Sequence, residues 1–190
     1  MSSWGTAVDE SSAQLVSYLR PGEQLLWSGR PDPDVWFSPG DVFLVPFSIM
    51  WGGFAVVWEL GAISSGTVFL VLWGIPFVAI GLHMMFGRFI YKHRTKLRTA
   101  YGLTPDRALV AVGTKALNDS PLKQTPSSIR RSRDGSHVSV TFGSPNGWTN
   151  RGAYGNTGME FFARGNAPFA FYDVADGEAL LAALDRARGK

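Results

Sequence analysis

Hydrophobic and polar positions are distributed very unevenly along this chain. From 42 to 87 there is one charged residue, Glu59. Two apolar stretches, 42–58 and 67–86, flank a short break of small residues, Glu59-Leu60-Gly61-Ala62-Ile63-Ser64-Ser65-Gly66. About 20 apolar residues is the length at which a helix crosses a bilayer core. A soluble fold would have to cover both stretches on every side. The pattern predicts a transmembrane helical hairpin over 41–90, with spans at about 42–60 and 66–87.

The polar remainder reads as short elements. Val8, Leu15, Val16, Tyr18 and Leu19 predict an amphipathic helix over 6–20 that Pro21-Gly22 stops. Leu25-Leu26-Trp27 is a strand candidate, and Asp32-Pro33-Asp34 a turn. Ser38 or Asp41 is placed to cap the first span, and Trp36 and Phe37 suit the headgroup layer. After the hairpin, strands are expected at 97–103, 107–112, 127–133, 137–142 and 169–174, with turns at 104–106, 118–121 and 134–136. A helix over 176–188 opens on acid, closes on base and carries the stripe Leu180, Leu181, Leu184. The stretch 143–168 interleaves glycines with Trp148, Tyr154, Met159, Phe161 and Phe162. It predicts a long irregular loop, with a short strand near 159–163. The alternative is that its aromatics touch the bilayer or a partner. The expectation is an α+β membrane protein in three parts: 1–40 before the membrane, the hairpin 41–90, and a strand-rich domain 91–190 closed by the last helix.

Charge adds an orientation. The net charge of +3 combines unlike regions. Residues 1–41 hold two basic and six acidic residues, whereas 88–133 hold eleven basic and two acidic. Arg88, Lys92, Arg94, Lys96 and Arg98 follow the second span directly, and the break between spans has no Lys or Arg. Basic residues near span ends stay in the cytoplasm, so both termini are expected there. The same five residues would meet anionic headgroups, each worth about 1 kcal/mol near the surface. That reading accounts for the basic block without a nucleic acid. The polar start predicts no signal peptide.

Inside the spans, Ser48 and Gly52 share a helix face, a spacing that lets helices approach closely. The near use is packing within the hairpin, the other a homo-oligomer. Pro46 falls in the opening turns of the first span, and Pro76 should bend the second. Glu59 is expected to be hydrated beside the loop, and His83 lies near the cytoplasmic end. Intramembrane ionisable groups are functional candidates, but these two lie towards opposite faces and form no common site.

Catalytic patterns are missing. With no cysteine, thiolate chemistry and zinc–thiolate sites are excluded. His83, His93 and His137 form no ligand pair, and no nucleotide-loop, zincin or nucleophile-elbow spacing occurs. No cofactor, metal or enzymatic activity is expected.

The run Tyr91-Lys92-His93-Arg94-Thr95-Lys96-Leu97-Arg98-Thr99-Ala100-Tyr101-Gly102-Leu103-Thr104-Pro105-Asp106-Arg107 resembles the opening of bacterial pleckstrin-homology-like membrane proteins. Glu23, Leu26, Trp27, Gly29 and Pro31 are similar to their pre-membrane element. The resemblance implies a hairpin in the bacterial inner membrane and a small cytoplasmic β-barrel or sandwich capped by a helix. It implies no ligand site. The expected role is non-catalytic protein binding or scaffolding. The alternative is an accessory subunit of a transport or envelope-remodelling complex assembled through the hairpin.

Overall fold

A computed structural model describes residues 3–114, 116–123, 125–143, 156–159 and 169–189. It is an α+β chain that divides into two compact units. One comprises 1–35, 94–149 and 168–190, the other 36–93 and 150–167.

The first unit is built on two antiparallel sheets. Strands β1 (Trp27–Gly29), β2 (Thr99–Leu103), β3 (Arg107–Val112) and β4 (Ala116–Pro121) pair in sequence order. Strands β5 (Ser127–Arg131), β6 (Val138–Phe142) and β7 (Phe169–Val174) form the second sheet. The period of two explains the core. Tyr101, Leu103 and Ala108 from one sheet meet Val138, Val140, Phe142, Phe171 and Val174 from the other. Helix α5 (Gly177–Arg188) closes this core with Leu180, Ala183 and Leu184. Asp176 caps it by accepting from the Ala179 N–H at 3.4 Å, and Gly189 ends it in the left-handed conformation.

Helix α1 (Ser3–Val16) covers the back of the first sheet. Leu15 packs there with Ala100, Leu109 and Ala111. Every residue of β2 is therefore buried, on both faces. Gly102 makes room, since a Cβ there would lie 2.9 Å from Leu15 Cδ1 and 3.1 Å from Leu25 Cδ2. The first 35 residues belong to the β unit.

Two elements of the β unit differ from the sequence pattern. The segment 118–121, expected as a turn, is the end of β4, in register with β3 from Val112↔Ala116 to Arg107↔Pro121. Proline and Asp are tolerated because β4 is an edge strand, and Asp119 accepts from Arg107 at 2.9 Å. The turn lies instead at Gly113, which has φ +61°. Helix α1 ends at Val16 rather than near 20, and the freed Tyr18 carbonyl accepts from Arg107 at 3.1 Å. The short strand expected at 159–163, and most of 143–168, lie outside the described residues.

The second unit is a helical hairpin. Helix α2 (Asp41–Ser64) has 24 residues, running past the expected end at 60. Helix α3 (Val68–Leu82), a π turn (His83–Gly87) and α4 (Arg88–Leu97) follow without a break over 30 residues. Both helices are long and apolar enough to cross a membrane.

Candidate functional site

The hairpin seam is built from small side chains. On α2 the buried residues are Leu44, Ser48, Gly52, Ala55 and Ala62, and on α3 Gly74 and Gly81. A Cβ on Gly81 would lie 3.1 Å from the Gly52 Cα, so the backbones touch where both residues are glycine. The Ser48 hydroxyl donates to the Leu44 carbonyl at 2.5 Å, which removes a polar group from the seam. Gly52 is thus covered by the chain's own second helix, and Ser48 is buried one turn away.

The end of the hairpin holds a buried ion pair that the sequence reading missed. Arg88 is 1% and Asp41 3% exposed, and their Nη1 and Oδ1 are directly bonded. The other Asp41 oxygen accepts the Ser38 N–H at 2.6 Å and its hydroxyl at 2.7 Å. Asp41 and Ser38, expected as alternative caps, are instead partners of each other. Arg88 also donates from Nε to the Met84 carbonyl at 2.7 Å and from Nη1 to the Thr157 carbonyl at 3.2 Å. The π turn matters here, because it disturbs the i→i−4 ladder: the Arg88 N–H pairs with the His83 oxygen, and the Arg88 side chain reaches the Met84 oxygen. Gly158, with φ +79°, passes so close to the Arg88 carbonyl that no Cβ would fit. A signal for this pair was present: Asp41 opens the first apolar run and Arg88 follows the second, and an antiparallel hairpin brings those ends together.

The five basic residues separate by helical phase. Arg88, Lys92 and Lys96 recur every fourth position on α4 and are buried. In the hairpin unit, Lys92 Nζ donates to the Trp36 carbonyl at 2.8 Å, and the Trp36 ring stacks on His93 with centroids 5.1 Å apart. In the β unit, Lys96 Nζ donates to the Asp32 and Val35 carbonyls at 2.8 Å and to Asp173 at 2.6 Å. An ammonium has three hydrogens, so Lys96 has none left for a headgroup. Arg94 and Arg98 are exposed. The reading that treated all five alike is corrected by burial: three hold the chain together and two remain for a surface.

Two further polar clusters brace the β unit. Arg107 donates to Glu23 at 2.7 and 2.9 Å and to Asp119 at 2.9 Å. The Arg107 hydrogen bonds hold Glu23 down at about 2, against an ordinary 4.5, with burial opposing. Glu23 in turn raises Arg107 above its ordinary value. At Asp32, burial pushes the carboxyl up, but bonds from His137 (2.8 Å) and the Asp34 N–H (2.8 Å) outweigh it and hold it below 3.8. A cavity of about 220 Å³ lies between Trp27, Pro31, Pro33, Leu97 and Val174. Its walls are apolar, and the Lys96 ammonium at its edge is saturated by its three acceptors.

Glu59 is placed differently from the hydrated position expected. It continues the seam spacing of 52, 55, 59 and 62, and its carboxyl lies against Gly74 of α3, where a Cβ would collide with it. Its Oε2 is buried without a hydrogen-bond partner. His83 opens the π turn, and its ring lies over Gly87.

No family model matches the chain, and neither a curated protein nor a solved structure matches it.

Proposed function

We propose that this chain is an integral protein of a bacterial inner membrane, whose hairpin crosses the bilayer with both termini in the cytoplasm. It holds a pleckstrin-homology-like β unit at the inner leaflet as a non-catalytic binding or scaffolding module. One observation carries the membrane part. Only 28% of the apolar window in Asp41–Ser64, and 17% of that in Val68–Leu97, is buried by protein. A core helix of a soluble protein would be mostly covered, and the exposed faces here carry Phe54, Leu60, Phe69 and Trp73. Lipid is the solvent that tolerates such faces. Exposed Arg94 and Arg98 support the cytoplasmic placement of the segment after α3. Two sheets closed by a terminal helix are compatible with a pleckstrin-homology-like domain.

The chain has no cysteine, so single reporters test the topology cleanly. Ser65→Cys should react with an impermeant maleimide on intact spheroplasts, and Ser132→Cys only after permeabilisation. The reverse pattern would refute the orientation. For the recruiting role, a photo-crosslinking amino acid at exposed Ile129 should capture a protein reproducibly. Capture only from Leu60 of the hairpin would favour the second reading, an intramembrane subunit. That reading has its own support in the unpartnered carboxyl of Glu59.

A further inference from the structure

We infer that the groove of the hairpin beside Glu59 receives a spanning helix of another protein, one that carries a lysine or arginine level with that carboxyl. The inference rests on the hairpin crossing the bilayer and adds what the hairpin would hold.

Glu59 lies five residues before the end of α2, or about 7–8 Å along the axis at 1.5 Å per residue. The Cα–Cβ bonds of a helix tilt towards its N-terminus, so this side chain leans away from the nearer bilayer surface and into the hydrocarbon. The seam is shaped to accept it: Gly74 lies opposite, and Trp58 Cδ1 is 3.5 Å from where a Gly74 Cβ would be. A carboxyl carried to that depth needs a polar partner, yet Oε2 has none. The chain supplies no cation from 42 to 82, where Lys, Arg and His are absent. Two helices enclose a seam residue from one side only, and Glu59 is accordingly only partly buried. A third helix laid along the groove would cover it.

Charge complementarity selects the occupant. A second copy would bring another carboxyl and no base to that level of the spans. The cation therefore has to come from a different protein. Of the small-residue pair on α2, Gly52 is already covered by Gly81 and Met85 of this chain, and Ser48 is buried. Trp51 Nε1 and Arg88 Nη2 are also buried without a partner, but both are donors, and Glu59 Oε2 is the unmet acceptor among the described residues of the hairpin.

The test uses the full chain with a donor dye on Ser65→Cys, reconstituted in phosphatidylcholine vesicles, a lipid without a primary ammonium. The probes are three acceptor-labelled synthetic leucine-rich spanning helices. One has a lysine level with Glu59, one has it in the opposite leaflet, and one has none. Energy transfer should show the level-lysine helix associating about tenfold more tightly than the lysine-free one. The opposite-leaflet helix should match the lysine-free one. Glu59→Gln, which keeps the shape and removes the charge, and Glu59→Leu should both abolish the difference. Equal association of all three helices, or a preference that survives Glu59→Leu, overturns the inference. Transfer between copies that Glu59→Leu abolishes also overturns it, in favour of self-association. Carbonate extraction of the vesicles separates the two levels of argument. Protein that is extracted sinks the spanning reading as well, whereas protein that stays inserted without a preference sinks only this site.

Discussion

The two units solve opposite packing problems with the same side chains. In the β unit large apolar residues are hidden, Phe171 being 0% exposed. In the hairpin unit they are displayed, Phe54 being 63% exposed, while Asp41 and Arg88 are sealed inside. Glycine shows the contrast too. The hairpin brings its backbones together at Gly52 and Gly81, and in the bilayer proposed for it, dispersion contacts and close approach would stand in for the hydrophobic effect. The β unit instead concentrates Tyr101, Phe142 and Phe171 in one aromatic cluster, with Tyr101 and Phe171 centroids 4.7 Å apart. With the hairpin in the bilayer as proposed, the same large apolar side chain would be worth most where it is hidden in the β unit and least where it is displayed on the hairpin.

The largest loss is expected at the ion pair. Arg88→Leu or Asp41→Asn leaves a buried charge unpaired and should destabilise by about 3–5 kcal/mol in denaturant titration of the detergent-solubilised protein. The double change Asp41→Leu with Arg88→Leu should recover part of that loss. Equal losses in single and double variants would remove the pair from the account. Next, Phe171→Ala should lower stability by about 3–5 kcal/mol, whereas Phe54→Ala should leave the detergent-solubilised fold nearly unchanged. Comparable losses would show that Phe54 packs against protein and not lipid. Gly81→Leu should cost about 1–3 kcal/mol by overpacking against the Gly52 backbone. Arg94→Glu with Arg98→Glu should leave stability alone and weaken attachment of the segment to anionic vesicles by about 1 kcal/mol per residue.

A last comparison uses pH. Glu23 is held at about 2 by Arg107, below its ordinary 4.5. A depressed carboxyl contributes stability that is fully present above the unfolded value and is lost as pH falls through the folded one. The thermal midpoint should therefore drop between about pH 4.5 and 2. Glu23→Gln should be less stable near neutrality and flatter through that window, and identical profiles would contradict the geometry.

Most of the secondary structure could be read before any coordinates. Strands 107–112 and 169–174 and the terminal helix follow from alternation and a leucine stripe, and they occur at those places. The tail of β4 could not be read, because Asn118-Asp119-Ser120-Pro121 has turn composition and becomes a strand only by pairing with β3. The basic run was legible as a charge count but not as a division of labour. Helical phase alone puts Arg88, Lys92 and Lys96 on one face, yet only the carbonyls of Asp32, Val35 and Trp36 make that face an interior one.

What the sequence determined by itself was the existence of two long apolar helices, the sign and place of the charge beside them, and the α+β character of the rest. Those are properties of local composition and period, set by segments a few turns or strands long. The tertiary structure decided the pairing of Asp41 with Arg88, 47 positions apart, and the seating of Glu59 against Gly74. It also decided the docking of α1 behind the first sheet. Each of these depends on which distant surfaces meet, and the free energy of burying a polar group is defined only once they do.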